Sequence, residues 1–290
     1  MLRWTPSGAV TLPDTVQIRV EVSYPDRLPA GAPSPTRRLE PNELIDNIVY
    51  FTKGLDTPRT RPCVSMVLSG HGVATRSDIP TALRQARALG VRWTVLHAGH
   101  SELDRIDVSW MDGLVDRLVL PVHRAAPLDR YEHLVAACRA RAISVVFAVD
   151  LRASLLPDLP EVAGALDALK PAAIVFTWPF PMDGLPAERA SEDAHWREQV
   201  ERGLQAVQNA PALVRGLPIC YLPQHPSLFR RTSNRWYVDA AHQKQHALLF
   251  LPDVVQFDKA DACRFCTMDH LCDGFFQPYL AQGHRPLQPV

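Results

Sequence analysis

The chain has 290 residues, 47% of them hydrophobic, and its 31 Lys and Arg balance 31 Asp and Glu. That length can bury one large core, or a core with a small appendage, and a zero net charge without a long basic run removes the electrostatic case for nucleic acid or an anionic membrane. No stretch of about 18 apolar residues offers a membrane span, MLRWTPSG has no signal-peptide core, and six cysteines are too sparse for a disulfide scaffold, so a cytoplasmic protein is expected.

In chain order, TVQIRVEV (15–22) reads as a first strand, partly alternating and so suited to a sheet edge. A Pro-rich loop follows, and EPNELIDNIVYFTKGL reads as a helix from Pro41 to Gly54 with Ile45, Ile48, Val49 and Tyr50 on one face. CVSMVLSG (63–70) is a buried strand, and residues 77–89 form a helix between Ser77-Asp78 and Gly90. VRWTVLHAG (91–99), DRLVLPVH (116–123), ISVVFAVD (143–150) and AAIVFTWPF (172–180) are further strands, with helices near 160–169 and over 195–210. LPICYLP (217–223) reads as the last short strand. Alternating strands and helices imply a parallel sheet with helices outside. Six or seven such units without a G-x-G-x-x-G after the first strand favour a partial (βα)6-type, TIM-like barrel over residues 1–223. After residue 224 the alternation stops. Residues 224–290 read as an extension folded around a metal.

Cysteines carry the chemistry of that extension. Cys263, Cys266 and Cys272 form C-x-x-C-x5-C in ADACRFCTMDHLCDGFF, and Cys220, contributed from the barrel, stands in GLPICYLP. Four thiolates have the count to hold a [4Fe–4S] cluster or a structural Zn²⁺, and buried free thiols rarely bunch at such spacing. His270, inside the motif, could replace a thiolate. His242 and His246 have the spacing of a shared helix face. Cys63 and Cys138 lie in apolar contexts and read as core thiols.

In order and spacing these pieces resemble the radical S-adenosylmethionine (SAM) superfamily, in its branch with a C-terminal auxiliary iron–sulfur cluster (SPASM-like). LEPNELIDNIVYF looks like the first barrel helix, and VSMVLSGHG like the second strand and the glycine-rich turn that meets the SAM amino group, which would assign Gly70 and Gly72 to that turn. SDIPTALRQARALGVRWTVLHAG resembles the next helix and strand, VDRLVLPVH the fourth strand, and C-x-x-C-x5-C-x-G with Tyr279, Gly283 and Pro289 the ending. The family carries C-x3-C-x2-C in the loop after the first strand, where three thiolates hold the SAM-cleaving cluster. Here that loop reads EVSYPDRLPAGAPSP, without a cysteine, and the turn Ser69-Gly70-His71-Gly72-Val73 lacks the family's glutamate. The resemblance therefore implies a degenerate member that keeps its auxiliary [4Fe–4S] cluster on Cys220, Cys263, Cys266 and Cys272 and does not cleave SAM. Such a pseudoenzyme is expected to partner an active radical SAM enzyme or the peptide it modifies.

A second reading is an enzyme. His71, His97, His123 and Asp150 all fall at carboxyl ends of expected strands, the face where barrels place active sites, and His100 is close by. Three His and one Asp could bind a divalent metal and activate water, making a metal-dependent barrel hydrolase. Trp178 and Phe180 at the barrel mouth could meet a peptide or pack under the extension. RRTSNRWY (230–237) is too short to indicate nucleic acid.

Overall fold

The computed structural model describes residues 13–22, 37–53, 62–123, 129–178, 195–230, 233–250 and 257–276. In β1 (Thr15–Arg19) Val16 and Ile18 are fully buried while Thr15, Gln17 and Arg19 are half-buried, the period of two that a sheet with unlike faces requires. A two-residue strand, β2 (Glu21–Val22), then pairs antiparallel with β3 (Arg37–Arg38). The repeating part continues with α1 (Pro41–Lys53), β4 (Ser65–Ser69), α2 (Ile79–Ala88), β5 (Trp93–His97), β6 (Arg117–Val122), α3 (Asp129–Arg139), β7 (Ser144–Asp150), α4 (Leu159–Ala168), β8 (Ala173–Thr177), α5 (Trp196–Gln205) and β9 (Ala212–Arg215). The strands β10 (Arg235–Val238), β11 (Leu248–Phe250), β12 (Phe257–Asp258) and β13 (Phe275–Phe276) complete it.

The chain divides into two compact units, the first of residues 1–120, 133–145 and 234–251, the second of residues 121–132, 146–233 and 252–290. In the first, strands follow the order β11-β10-β1-β4-β5-β6, and all but β11 run parallel. Proline at the start of α1 loses no helix bond there, and the helix buries Leu44, Ile48 and Phe51. No α-helix among the described residues follows α5, so the strand–helix alternation stops as expected, yet Trp236, Tyr237 and Val238 lie in register beside Val16, Gln17 and Ile18. Residues 235–250 thus add a parallel strand and an antiparallel edge strand beside β1.

In the second unit β7, β8 and β9 run parallel in that order. One face, bearing Phe147, Val149, Ile174, Phe176 and Val214, is at most 1% exposed. Helices cover it, and a Cβ on Gly203 of α5 would lie 3.7 Å from the Phe176 ring and 2.8 Å from Leu159. The strand expected over 217–223 is instead a 3-10 turn, Ile219–Tyr221, between prolines 218 and 223. Proline supplies no N–H to a ladder, and β9 lies earlier, at Ala212–Arg215.

Helix α5 ends at Gln205 rather than near residue 210 because a buried carboxylate captures the chain beyond it. Asp167, at the end of α4, accepts the backbone N–H groups of Gln208 (3.0 Å), Asn209 (3.0 Å) and Ala210 (2.8 Å) and the Asn209 side-chain amide (2.8 Å). Burial raises the Asp167 pKa, but these donors outweigh it and hold the carboxyl below the usual range. A lowered folded pKa means stability that is present above the unfolded value of about 3.9 and lost as pH falls through the folded one. Asp167→Ala is expected to cost about 2–3 kcal/mol at pH 7, from the donors left unpaired. In urea titrations that difference should shrink below about pH 4; a difference independent of pH would contradict the assignment.

Candidate functional site

In the first unit the loops after β4 and β5 meet around one carboxylate. Glu102, fully buried, accepts the N–H groups of Gly72 (2.9 Å), Ala74 (2.7 Å) and Gly99 (2.8 Å). A Cβ at Gly99 would collide with Glu102 Oε1, so only glycine admits the carboxylate there. Burial pushes the Glu102 pKa up, partly offset by the three N–H donors. Gly70 and Gly72 are both at positive φ, and the Gly72 N–H is taken by the chain's own glutamate. Gly70 packs so closely that a Cβ would lie 2.6 Å from the Glu21 carbonyl oxygen. Nothing in HAGHSELDR distinguishes Glu102 from an ordinary loop acid.

Arg76, 8% exposed, closes the base of the segment in which the family would carry its cysteines. It donates to the carbonyls of Val20 (3.3 Å) and Leu39 (3.0 Å), on either side of the β2–β3 ladder, and pairs with Asp78 at 2.5 Å. Burial would raise the Asp78 pKa, and the Arg76 guanidinium holds it below the usual range instead. The cysteine-free loop 23–36 itself lies outside the described residues, as do Phe180, Tyr279, Gly283 and Pro289.

Of the four residues expected to hold a divalent metal, the structure brings His123 and Asp150 into contact, with Nδ1 2.5 Å from Oδ2. Arg152 Nε approaches the same oxygen at 3.2 Å. His71 Nδ1 lies 3.5 Å from Ser101 Oγ, and His97 is the half-buried last residue of β5. Among the described residues no three His, Cys, Asp or Glu side chains converge on a single ion, so the four-ligand hydrolase centre is not assembled. The strand-end side chains have taken other partners. His242 and His246 share no helix face either: Asp239 holds His242 in a turn, and His246 ends a 3-10 turn.

Trp178 is 5% exposed and packs edge-on against Trp196 (5.1 Å between rings), which packs at a tilt on Tyr221 (5.5 Å). Trp178 is thus packing rather than an open surface. Tyr221 follows Cys220 in the 3-10 turn, so this packing anchors the first of the expected ligands.

The other three cysteines lie in a loop closed by the β12–β13 ladder and by Lys259, whose ammonium donates to the Asp269 carboxylate and carbonyl, each at 2.8 Å. Cys266 N–H donates to the Cys263 carbonyl (3.0 Å), which makes C-x-x-C a tight turn. Burial pushes the Cys272 thiol up, partly offset by backbone N–H groups of Ile219 and Gly274 at its sulfur. The Ile219 contact seats Cys272 against the residue preceding Cys220. All four are half-buried cysteines of the second unit, none in a disulfide, and N–H donors at a sulfur suit a metal-bound thiolate. Among the described residues these cysteines, like the histidines, form no group of three that could hold a metal ion. Cys63 and Cys138, 2% and 0% exposed, are core thiols that burial pushes up to about 12 and about 11.

No family model and no curated protein matches this chain. Solved structures do. Streptococcus suis SuiB bound to S-adenosylmethionine superposes over 97% of this chain and 76% of its own, with TM-score 0.59 and 10% identity. SuiB bound to its precursor peptide SuiA superposes over 97% and 75%, with TM-score 0.60 and 10% identity. At this identity the likeness shows the fold alone: the chain shares with SuiB an α/β fold, here with a mostly parallel sheet. No described helix is long and apolar enough to cross a membrane.

Proposed function

We propose that the chain is a catalytically degenerate radical-SAM-like protein of partial-barrel architecture. It lacks the SAM-cleaving cluster, keeps one auxiliary [4Fe–4S] cluster, and serves as a partner or scaffold for an active radical SAM enzyme or its peptide substrate. The observation that carries this reading is a radical-SAM-like fold over 97% of the chain combined with a loop after β1 that contains no cysteine. Two local features support it. Arg76 and the β2–β3 ladder tie off that loop at its base, and Glu102 occupies the donors of the glycine turn. SuiB is seen with a precursor peptide, which makes a peptide the first partner to test.

Cys220, Cys263, Cys266 and Cys272 would hold the cluster. When bound, a fully ligated cluster supplies structure or one-electron transfer and leaves no iron open to SAM. Ile219 and Gly274 N–H groups stabilise charge on the Cys272 sulfur, while Tyr221 and its aromatic neighbours fix the Cys220 backbone. Anaerobically isolated protein is expected to be brown, with about four irons per chain. It should yield no 5′-deoxyadenosine from SAM under strong reductant. Stoichiometric zinc with negligible iron would replace the cluster by a structural zinc site, and 5′-deoxyadenosine above the metal-free control would overturn the pseudoenzyme reading.

A further inference from the structure

We infer that the amino end of β5 and β6 is a docking surface for an acidic segment of a partner protein, with Trp93 as its apolar anchor and Arg92 and Arg117 as its carboxylate-binding groups. The inference draws on neither the cluster nor the loss of SAM cleavage.

Register places the three side chains together. Trp93 opens β5, and Val95, two residues on, lies on the same face. Arg117, the first residue of β6, is the register partner of Val95. It is therefore a diagonal neighbour of Trp93, within reach of a long side chain. Its guanidinium carbon lies 5.3 Å from the centre of the indole ring. Thr94, between Trp93 and Val95, faces the other way and is fully buried. Trp93 is 39% exposed, Arg92 is exposed and Arg117 is half-buried.

Charge identifies the occupant. Asp116, next to Arg117 in sequence, is already engaged: its Oδ2 accepts from Arg87 and from the Thr94 N–H, each at 2.6 Å. Among the described residues no carboxylate pairs with Arg92 or Arg117, and the Arg117 guanidinium pairs only with the Trp93 ring. Trp and Arg are the residue types that dominate protein interfaces, and an arginine fork takes a carboxylate through two parallel hydrogen bonds. Phe265, exposed with Arg264 over its ring, differs, because there Asp261 lies 3.8 Å from the guanidinium. Two arginines on a chain of zero net charge do not neutralise a run of phosphates, so a protein carboxylate is favoured over nucleic acid. Position agrees. Parallel sheets place substrates at the carboxyl end, so a partner at the amino end leaves the loops around Glu102 uncovered.

The test is fluorescence anisotropy of a short fluorescein-labelled peptide of alternating Glu and Leu, titrated with the full chain. A Lys–Leu peptide of the same length and a labelled oligothymidylate are the comparisons. Saturable binding of the acidic peptide is expected, weakening as salt is raised. Trp93→Ala should weaken it about tenfold. Arg92→Gln and Arg117→Gln should each weaken it about fivefold and flatten the salt dependence. Leu248→Ala, exposed elsewhere in the same unit, should keep wild-type affinity. Arg92→Gln alters a surface side chain and decides even if Trp93→Ala lowers the thermal midpoint. Absence of saturable binding, equal or tighter binding of the Lys–Leu peptide, or wild-type affinity in Arg92→Gln would each overturn the proposal. So would tighter binding of the oligothymidylate, which would make this a nucleic-acid surface. None of these outcomes alters the iron count or the 5′-deoxyadenosine result.

Discussion

Glu102→Ala is expected to destabilise the protein by about 3–5 kcal/mol, the range for removing one partner from a buried charged network. The variant leaves the N–H groups of Gly72, Ala74 and Gly99 without their acceptor and opens a void where the carboxylate lay. Glu102→Gln keeps the shape and one acceptor oxygen, so its cost should be nearer 1–2 kcal/mol. The sign with pH is opposite to that for Asp167. Burial raises the Glu102 pKa, so the cost of keeping it charged is carried in full at neutral pH. That cost is relieved as pH falls through the folded value toward the unfolded one, about 4.3. Urea titration of the two variants reads both effects. A Glu102→Ala midpoint close to wild type would show that the loops hold without the carboxylate.

Cys266→Ala is expected to strip the cluster and loosen the loop between β12 and β13. Iron should fall from about four per chain to background, because metal binding and folding of such a loop share one free energy. Two ties remain without metal, the two-residue β12–β13 ladder and the Lys259–Asp269 pair. Such partly exposed pairs contribute little, roughly 0–1 kcal/mol. Limited proteolysis should therefore cut within residues 259–274 of the variant and spare the same segment in the iron-loaded protein. Cys138→Ala, in a buried core position, is the control and should keep its iron. Equal iron in Cys266→Ala and wild type would remove Cys266 from the ligand set.

These two sites were legible to different degrees. The cysteine loop announces itself, because C-x-x-C-x5-C is a local pattern and its turn closes through a bond between Cys266 and Cys263. Glu102 does not, because its partners Gly72 and Ala74 lie 30 and 28 residues away, on another loop. His123 and Asp150 could be placed at strand ends from the apolar runs before them. That they touch each other, rather than join His71 and His97 around a metal, depends on side-chain partners that strand position does not set. Helix α3 is illegible in the sequence for a related reason: DRYEHLVAACRA mixes charged and apolar residues without a clear cap.

The sequence by itself determined the α/β alternation, the count and spacing of the cysteines, and the absence of cysteine from the stretch after β1. All of these are local, set by residue type and spacing over a few positions. Only the tertiary structure decided that residues 235–238 run beside β1, that Asp167 ends α5, that Arg76 clamps Val20 and Leu39, and that Glu102 fills the glycine turn. Each joins segments far apart in the chain. A buried carboxylate or guanidinium must find its partners wherever packing places them, since leaving it unpaired costs several kcal/mol on the order of a domain's whole margin of stability.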